Sequence, residues 1–229
     1  MTMNVLITGA NRGIGLGFVR HYLAQGARVW ACYRSDPGPL RDIASEALQC
    51  LQWDVTQDKP ADFAEQAGIP DALHLLINNA GIYGPKKAAG QSLETVSPQT
   101  MHQVFDVNCV GPLRVVQCLL DRIVRARGVI ANVSSKMGSS GDNTSGGCYA
   151  YRAAKAALVI VSKSMAVDLG PRGVRVITLH PGWVRTDMTD GTGLIDVAES
   201  VAGMSRVIEN IADYEPGAFV AFDGRIVPY

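Results

Sequence analysis

Tyr151 and Lys155 stand four residues apart in YAYRAAKAALVIVSKSMAVDL, a segment with helical patterning. Residues at that spacing share one helix face, so a phenol and an ammonium can face one cleft. A free phenol ionises near pH 10 and is a poor proton carrier at neutrality. A cation beside it favours the phenolate and lowers that value. Such a pair can exchange a proton with an alcohol or a carbonyl. The serine pair Ser134-Ser135 lies shortly upstream, and a hydroxyl there can hold the same oxygen. The Tyr-x-x-x-Lys spacing arises by chance often enough that its setting must support it.

The setting is an alternation of short apolar runs with longer amphipathic ones. Strands are expected at Asn4–Thr8, Arg28–Tyr33, Leu48–Trp53, Leu73–Asn78, Gly128–Val133, Arg175–His180 and Ala218–Ala221. Most are continuous Val/Ile/Leu runs, as in strands covered by helices on both faces. Helices are expected at Gly13–Gln25, Ala61–Ala67, Pro98–Val124, Tyr149–Leu169 and Ile195–Asn210. The order implies an α/β fold, a Rossmann-type doubly wound parallel sheet of about seven strands, in one domain spanning 1–229. Ligands in such sheets bind beyond the carboxyl ends of the strands. The soft stretches Asp36–Pro39, Tyr83–Ser97, Gly138–Gly147 and Thr186–Gly193 are candidates for the rim of that site.

The first expected strand runs into Thr8-Gly9-Ala10-Asn11-Arg12-Gly13-Ile14-Gly15. Glycines allow a tight turn and close approach of a pyrophosphate, and the following helix N-terminus offers free N–H groups. The spacing is G-x-x-x-G-x-G rather than the commoner G-x-G-x-x-G. A nucleotide with a free ribose 2′-hydroxyl usually meets an acid at the end of the second strand. Here that end reads Cys32-Tyr33-Arg34-Ser35. Arg34 and Arg12 suit a 2′-phosphate, since a guanidinium binds phosphate through planar, charge-assisted hydrogen bonds. NADP(H) is therefore expected in preference to NAD(H). Asp54, in Trp53-Asp54-Val55, can accept from an adenine amino group, and Asn78-Asn79-Ala80-Gly81 places small residues where a ribose or adenine could lie.

Together these segments resemble the classical short-chain dehydrogenase/reductase (SDR) family over almost the whole chain. The cofactor loop Gly9, Asn11, Arg12, Gly13, Ile14 and Gly15, then Asp54 and Val55, the N-N-A-G run with Asn79, Ala80 and Gly81, and Ser135, Tyr151 and Lys155 all fall in the family's order. Pro181-Gly182-Trp183-Val184-Arg185-Thr186 resembles its P-G-x-V-x-T nicotinamide-side segment, which adds Pro181, Gly182, Val184 and Thr186 to the expected cofactor contacts. More narrowly, Gly146–Arg152, His180–Met188 and Phe222-Asp223-Gly224-Arg225 are similar to the carbonyl reductases grouped with sniffer and C-factor.

The resemblance implies hydride transfer between NADP(H) and a carbonyl or alcohol carbon. Tyr151 is then the general acid/base, Lys155 lowers its pKa and binds the nicotinamide ribose, and Ser135 holds the carbonyl oxygen. Asn108 would hold a water that connects Lys155 to solvent; the alternative is a buried amide paired with the helix backbone. The serine-to-tyrosine interval is longer than the family's usual one. Ser134 competes with Ser135 for the role, which falls to Ser135 as the second of the pair. The family also implies a homodimer or a tetramer, formed through two long helices. The rival function is an NADP(H)-binding signalling or regulatory protein with little turnover.

Composition narrows the partners. The formal net charge is +0, with 47% hydrophobic and 18% charged residues. That gives no footprint for nucleic acid or an anionic membrane, and no apolar run reaches bilayer length. The N-terminus MTMNVLITGA reads as a strand rather than a signal peptide. Five scattered cysteines, Cys32, Cys50, Cys109, Cys118 and Cys148, fit reduced thiols in a cytoplasmic protein. Cys148 is expected to pack rather than react. His180 is read as structural, and His21, His74 and His102 lack partners at metal spacing, so no metal is expected. Asp187–Leu194, short and rich in Gly, Thr and Asp, suggests a flexible lid over an open site for small or varied carbonyls.

Overall fold

Alternation of side chains along each strand divides the core in two. Val5 and Ile7 point to one face of the sheet and Leu6 to the other, and all three are fully buried. The computed structural model describes residues 2–86 and 90–229; Met1 and residues 87–89, which belong to the soft stretch 83–97, lie outside the described residues. Seven strands, β1 Asn4–Ile7, β2 Arg28–Tyr33, β3 Leu48–Gln52, β4 Leu75–Asn78, β5 Val129–Val133, β6 Arg175–His180 and β7 Phe219–Ala221, form one sheet in the order β3-β2-β1-β4-β5-β6-β7. Every neighbouring pair is parallel. This is the Rossmann-type doubly wound architecture expected from the sequence, with its switch point between β1 and β4.

The helices are α1 Gly13–Ala24, α2 Phe63–Gln66, α3 Pro98–Phe105, α4 Gly111–Ala126, α5 Tyr149–Leu169 and α6 Val197–Glu209. Helices α1 and α6 cover one face through Phe18, Val19, Tyr22, Val201 and Met204. Helices α4 and α5 cover the other through Val115, Leu119, Ile123 and Met165. Full burial of one such side chain contributes about 1.5–3 kcal/mol, so each helix is fixed mainly by its apolar stripe.

The expected helix Pro98–Val124 is interrupted. A π turn occupies Asp106–Val110, where the Gly111 N–H reaches back to the Asp106 carbonyl. Pro112 gives a reason: it lacks the N–H that an α-helix would bring to the carbonyl of Asn108, four residues earlier. The break therefore falls on Asn108. Strand β3 also differs from expectation, since it is the sheet's edge and leaves Gln49, Cys50 and Gln52 exposed.

Candidate active site

The switch point is held open by side chains acting on backbone. The Thr8 hydroxyl accepts from the N–H groups of Asn79 and Ala80, both at 3.1 Å. The Asn79 amide donates to the carbonyls of Thr8 and Gly9, both at 3.0 Å. Gly9 takes φ +62°, and a Cβ there would lie 2.7 Å from the Ala80 Cα. A Cβ on Gly15 would lie 2.6 Å from the Asn79 Nδ2 and fall on the Gly9 carbonyl oxygen. No larger residue fits either position, so the two loops meet backbone to backbone.

A cleft of about 680 Å³ opens above this junction. Of the expected cofactor residues, Gly9, Asn11, Arg12, Gly13, Ile14, Arg34, Asp54, Val55, Asn79, Ala80, Gly81 and Thr186 line it. Gly15, Tyr151, Lys155, Pro181, Gly182 and Val184 do not. Gly15 works from behind the loop by its lack of a side chain. Val184 is buried and bridges to Ile195. Gly182 is in the left-handed region at φ +85°, packed under Ile195 and Phe222. Ile82, Gln103 and Val107 line the cleft too; no spacing or motif marks them in the sequence.

The charged residues expected at the adenosine side stand together at one side of the cleft. Arg34 and Asp54 border both the main cleft and a second hollow of about 410 Å³ that also includes Ser35 and Lys59. Burial works against ionisation of Asp54, but hydrogen bonds from the Thr56 N–H and hydroxyl, with Arg34 and Lys59 nearby, hold the carboxyl below its usual range. Arg12 lies across from Asp187 at 3.5 Å, with both side chains largely exposed. In the segment after β6 the Thr186 N–H donates to the Thr189 hydroxyl at 3.1 Å, and Lys86 pairs with Asp190 at 2.8 Å.

The chemical end begins where Gly81 leaves the cleft. A Cβ on Gly81 would stand 3.2 Å from Asn108 Oδ1 and 3.5 Å from Lys155 Nζ. Lys155, on α5, is buried and donates to the Val133 carbonyl at 2.8 Å. Its Nζ lies 5.8 Å from the centre of the Tyr151 ring. Asn108 grips Ile82 from both sides: Oδ1 accepts from its N–H and Nδ2 donates to its carbonyl, each at 2.8 Å. Its side chain thus pairs with backbone across the cleft, close to the alternative weighed from sequence, though with the β4 loop and not with its own helix.

The two serines separate cleanly. Ser134 is buried and donates to the Lys155 carbonyl at 2.9 Å, so its proton is committed to helix α5. Ser135 accepts from the Met137 N–H at 3.2 Å, which leaves its own proton free. His180 closes the site from β6. Its Nδ1 accepts from the N–H of Lys136 at 3.2 Å and from that of Gly182 at 3.4 Å. Burial, with the charge of Lys136, pushes it down to about 4. A neutral ring with the proton on Nε2 ties the serine loop to the Pro-Gly turn.

Electrostatics differ from expectation at Tyr151. Burial pushes its phenol up to about 12, and the neighbouring Ser135 hydroxyl is the group that pulls the other way. Lys155 is itself pushed down to about 8 by burial, with only Cys109 opposing. Desolvation dominates both groups. At neutral pH the phenol is thus a protonated donor beside a weakened cation. Tyr83 packs against it with tilted rings, centres 4.8 Å apart, and the Tyr83 hydroxyl lies 2.9 Å from Cys148 Sγ. Cys148 is buried, as expected, and also makes this polar contact.

Among the described residues no cluster of His, Cys, Asp and Glu is placed to hold a metal ion. No described helix is long and apolar enough to cross a membrane.

The chain can now be set beside known proteins. The short chain dehydrogenase family profile matches residues 3–194. C-signal of Myxococcus xanthus is 42% identical over 158 residues, covering 69% of this chain and 93% of its own. Carbonyl reductase Sniffer of D. melanogaster superposes with a TM-score of 0.92 at 32% identity, covering 100% of both chains. NADPH-bound carbonyl reductase from chicken fatty liver does so with a TM-score of 0.88 at 32% identity, covering 100% of this chain and 99% of its own. With seven parallel strands in this order and the matched profile over most of its length, the chain belongs to the short-chain dehydrogenase family and is an oxidoreductase acting between C=O and CH–OH groups.

Proposed function

We propose that the protein is an NADP(H)-dependent carbonyl reductase in which Tyr151 delivers the proton. The observation that carries this reading is a buried, protonated phenol beside Ser135, on the helix whose Lys155 reaches Gly81 at the wall of the glycine-lined cleft. The lining suits a dinucleotide: glycines at 9 and 15 let the loop pack backbone to backbone against the Thr8–Ala80 junction, and Arg34 and Arg12 line the cleft as guanidiniums suited to a 2′-phosphate. Bound NADPH supplies the hydride. The free Ser135 hydroxyl hydrogen-bonds the carbonyl oxygen and stabilises charge as it develops there. The Tyr151 hydroxyl donates its proton to that same oxygen. Lys155 shares its ammonium between the Val133 carbonyl and the cleft beside Gly81, where a ribose hydroxyl would sit. Asn108 holds Ile82 and so fixes the floor of this corner. Pro181, Gly182, Val184 and Thr186 shape the nicotinamide side, the first three as packed backbone and Thr186 at the cleft wall.

Residues 1–229 form a single functional unit in this reading. It works in the cytoplasm, where its five free thiols remain reduced, as a homodimer or tetramer. Exposed Ile160 and Val167 on α5 supply apolar surface for that assembly. The test is a panel of aldehydes, ketones and quinones assayed with NADPH and with NADH. Turnover with a kcat/KM at least tenfold higher for NADPH is expected. A clear NADH preference removes the cofactor assignment, and cofactor binding without turnover of any compound favours the regulatory alternative.

A further inference from the structure

Helix α5 begins without local support. Gly146 and Gly147 precede it, and its capping residue, Cys148, is left-handed at φ 53° and makes no side-chain cap. The first N–H groups of a helix need acceptors from outside it. Here one residue far away in sequence provides two. The Gln91 side-chain oxygen accepts from the Tyr151 N–H at 2.9 Å, and the Gln91 main-chain carbonyl accepts from the Tyr149 N–H at 3.3 Å. The other end of the same side-chain amide donates to the carbonyls of Tyr83, at 2.8 Å, and Pro85, at 2.7 Å. Gln91 is fully buried, and both of its amide protons are used. Gly84, at φ +81°, wraps the 83–85 turn so closely that a Cβ there would lie 3.3 Å from Gln91 Nε2. The wall so fixed is Tyr83, whose ring lies on Tyr151 and whose hydroxyl meets Cys148.

We propose that Gln91 is a positioning residue for the proton transfer: one amide locks the helix turn that carries Tyr151 to the loop that carries Tyr83, and so sets where the phenol stands relative to the substrate carbonyl. The inference rests on the reading of Tyr151 as proton donor. Gln91→Met keeps the size of the side chain and removes its polar ends. In the full-length protein it lowers kcat about tenfold and raises KM for the best carbonyl of the panel about tenfold, a combined loss of about 100-fold in kcat/KM, while the NADPH Kd, read by nucleotide fluorescence, stays within about threefold. Gln91→Glu retains an oxygen toward the Tyr151 N–H but loses an amide donor. It recovers kcat relative to Gln91→Met and leaves KM raised. Tyr83→Ala combined with Gln91→Met is no worse than the poorer single variant, because both changes release the same wall. A role in stability alone would lower the melting temperature and leave kcat and KM near wild type; that result overturns the proposal. If Gln91→Met does not fold, an unchanged carbonyl KM in Gln91→Glu overturns it instead. Tyr151→Phe in parallel separates the two claims: loss of turnover there with wild-type behaviour in the Gln91 variants refutes only the inference, and retained turnover in Tyr151→Phe refutes the reading beneath it.

Discussion

Replacing Lys155 by Met should make stability less dependent on pH while removing activity. The Lys155 ammonium is pushed from its ordinary 10.5 down to about 8 by burial. The fall corresponds to about 3 kcal/mol by which the folded protein disfavours the charged lysine at neutral pH. The sign follows from proton binding. Between pH 8 and 10.5 the unfolded chain holds the proton and the folded chain does not, so stability rises with pH in that window. From pH 7 to 9 wild type should gain about 1.4 kcal/mol relative to Lys155→Met. At pH 7 the variant also leaves the Val133 carbonyl without its donor, which costs about 1–3 kcal/mol. The net difference there is therefore small. The comparison between proteins matters, because the buried thiol of Cys109, pushed up to about 11, and the phenol of Tyr151, pushed up to about 12, both lower stability at alkaline pH, and both are present in each. The assay is urea unfolding of the cofactor-free proteins at half-unit steps from pH 7 to 9.5. A difference that does not change with pH, or that moves in favour of the variant as pH rises, refutes the argument that burial governs this lysine.

Two further outcomes test the cofactor end. Gly15→Ala places a methyl against the Gly9 carbonyl and Asn79, an overpacking of about 1–3 kcal/mol; NADPH Kd by fluorescence titration should weaken about tenfold or more, and an unchanged value would show that this turn is not the phosphate cradle. Arg34→Ala should weaken NADPH binding by roughly 10- to 100-fold, as expected for a lost charge-assisted contact, with NADH Kd changed less than about threefold. Equal weakening of both nucleotides would remove Arg34 as the 2′-phosphate partner.

The parts of the fold that the sequence reveals are those set by local pattern. Strands β2 and β6 have the expected ends, Arg28–Tyr33 and Arg175–His180, because each is a continuous apolar run bounded by polar residues. Helix α5 likewise has the expected span, Tyr149–Leu169. Pro112 was visible, but its effect on the Asn108 carbonyl appears only once the chain on both sides is helical. The acidity of Tyr151 was misjudged because spacing reports which charges are near, and not how much water is excluded. Gln91 was hidden for a related reason: its partners are up to 60 positions away, and a glutamine in a loop carries no periodic signal. Asn79 was read as a nucleotide contact. It lines the cleft, but its side-chain amide is spent on the Thr8 and Gly9 carbonyls.

The central claim is that the Tyr151 hydroxyl delivers the proton to the substrate oxygen. Tyr151→Phe removes that hydroxyl and keeps the ring that packs against Tyr83. The direct measurement is NADPH oxidation by the variant with the best carbonyl substrate, alongside its NADPH Kd. The account predicts a kcat lower by roughly 10²- to 10⁴-fold with the Kd within about threefold of wild type. A kcat within a few-fold of wild type at full cofactor saturation would contradict it.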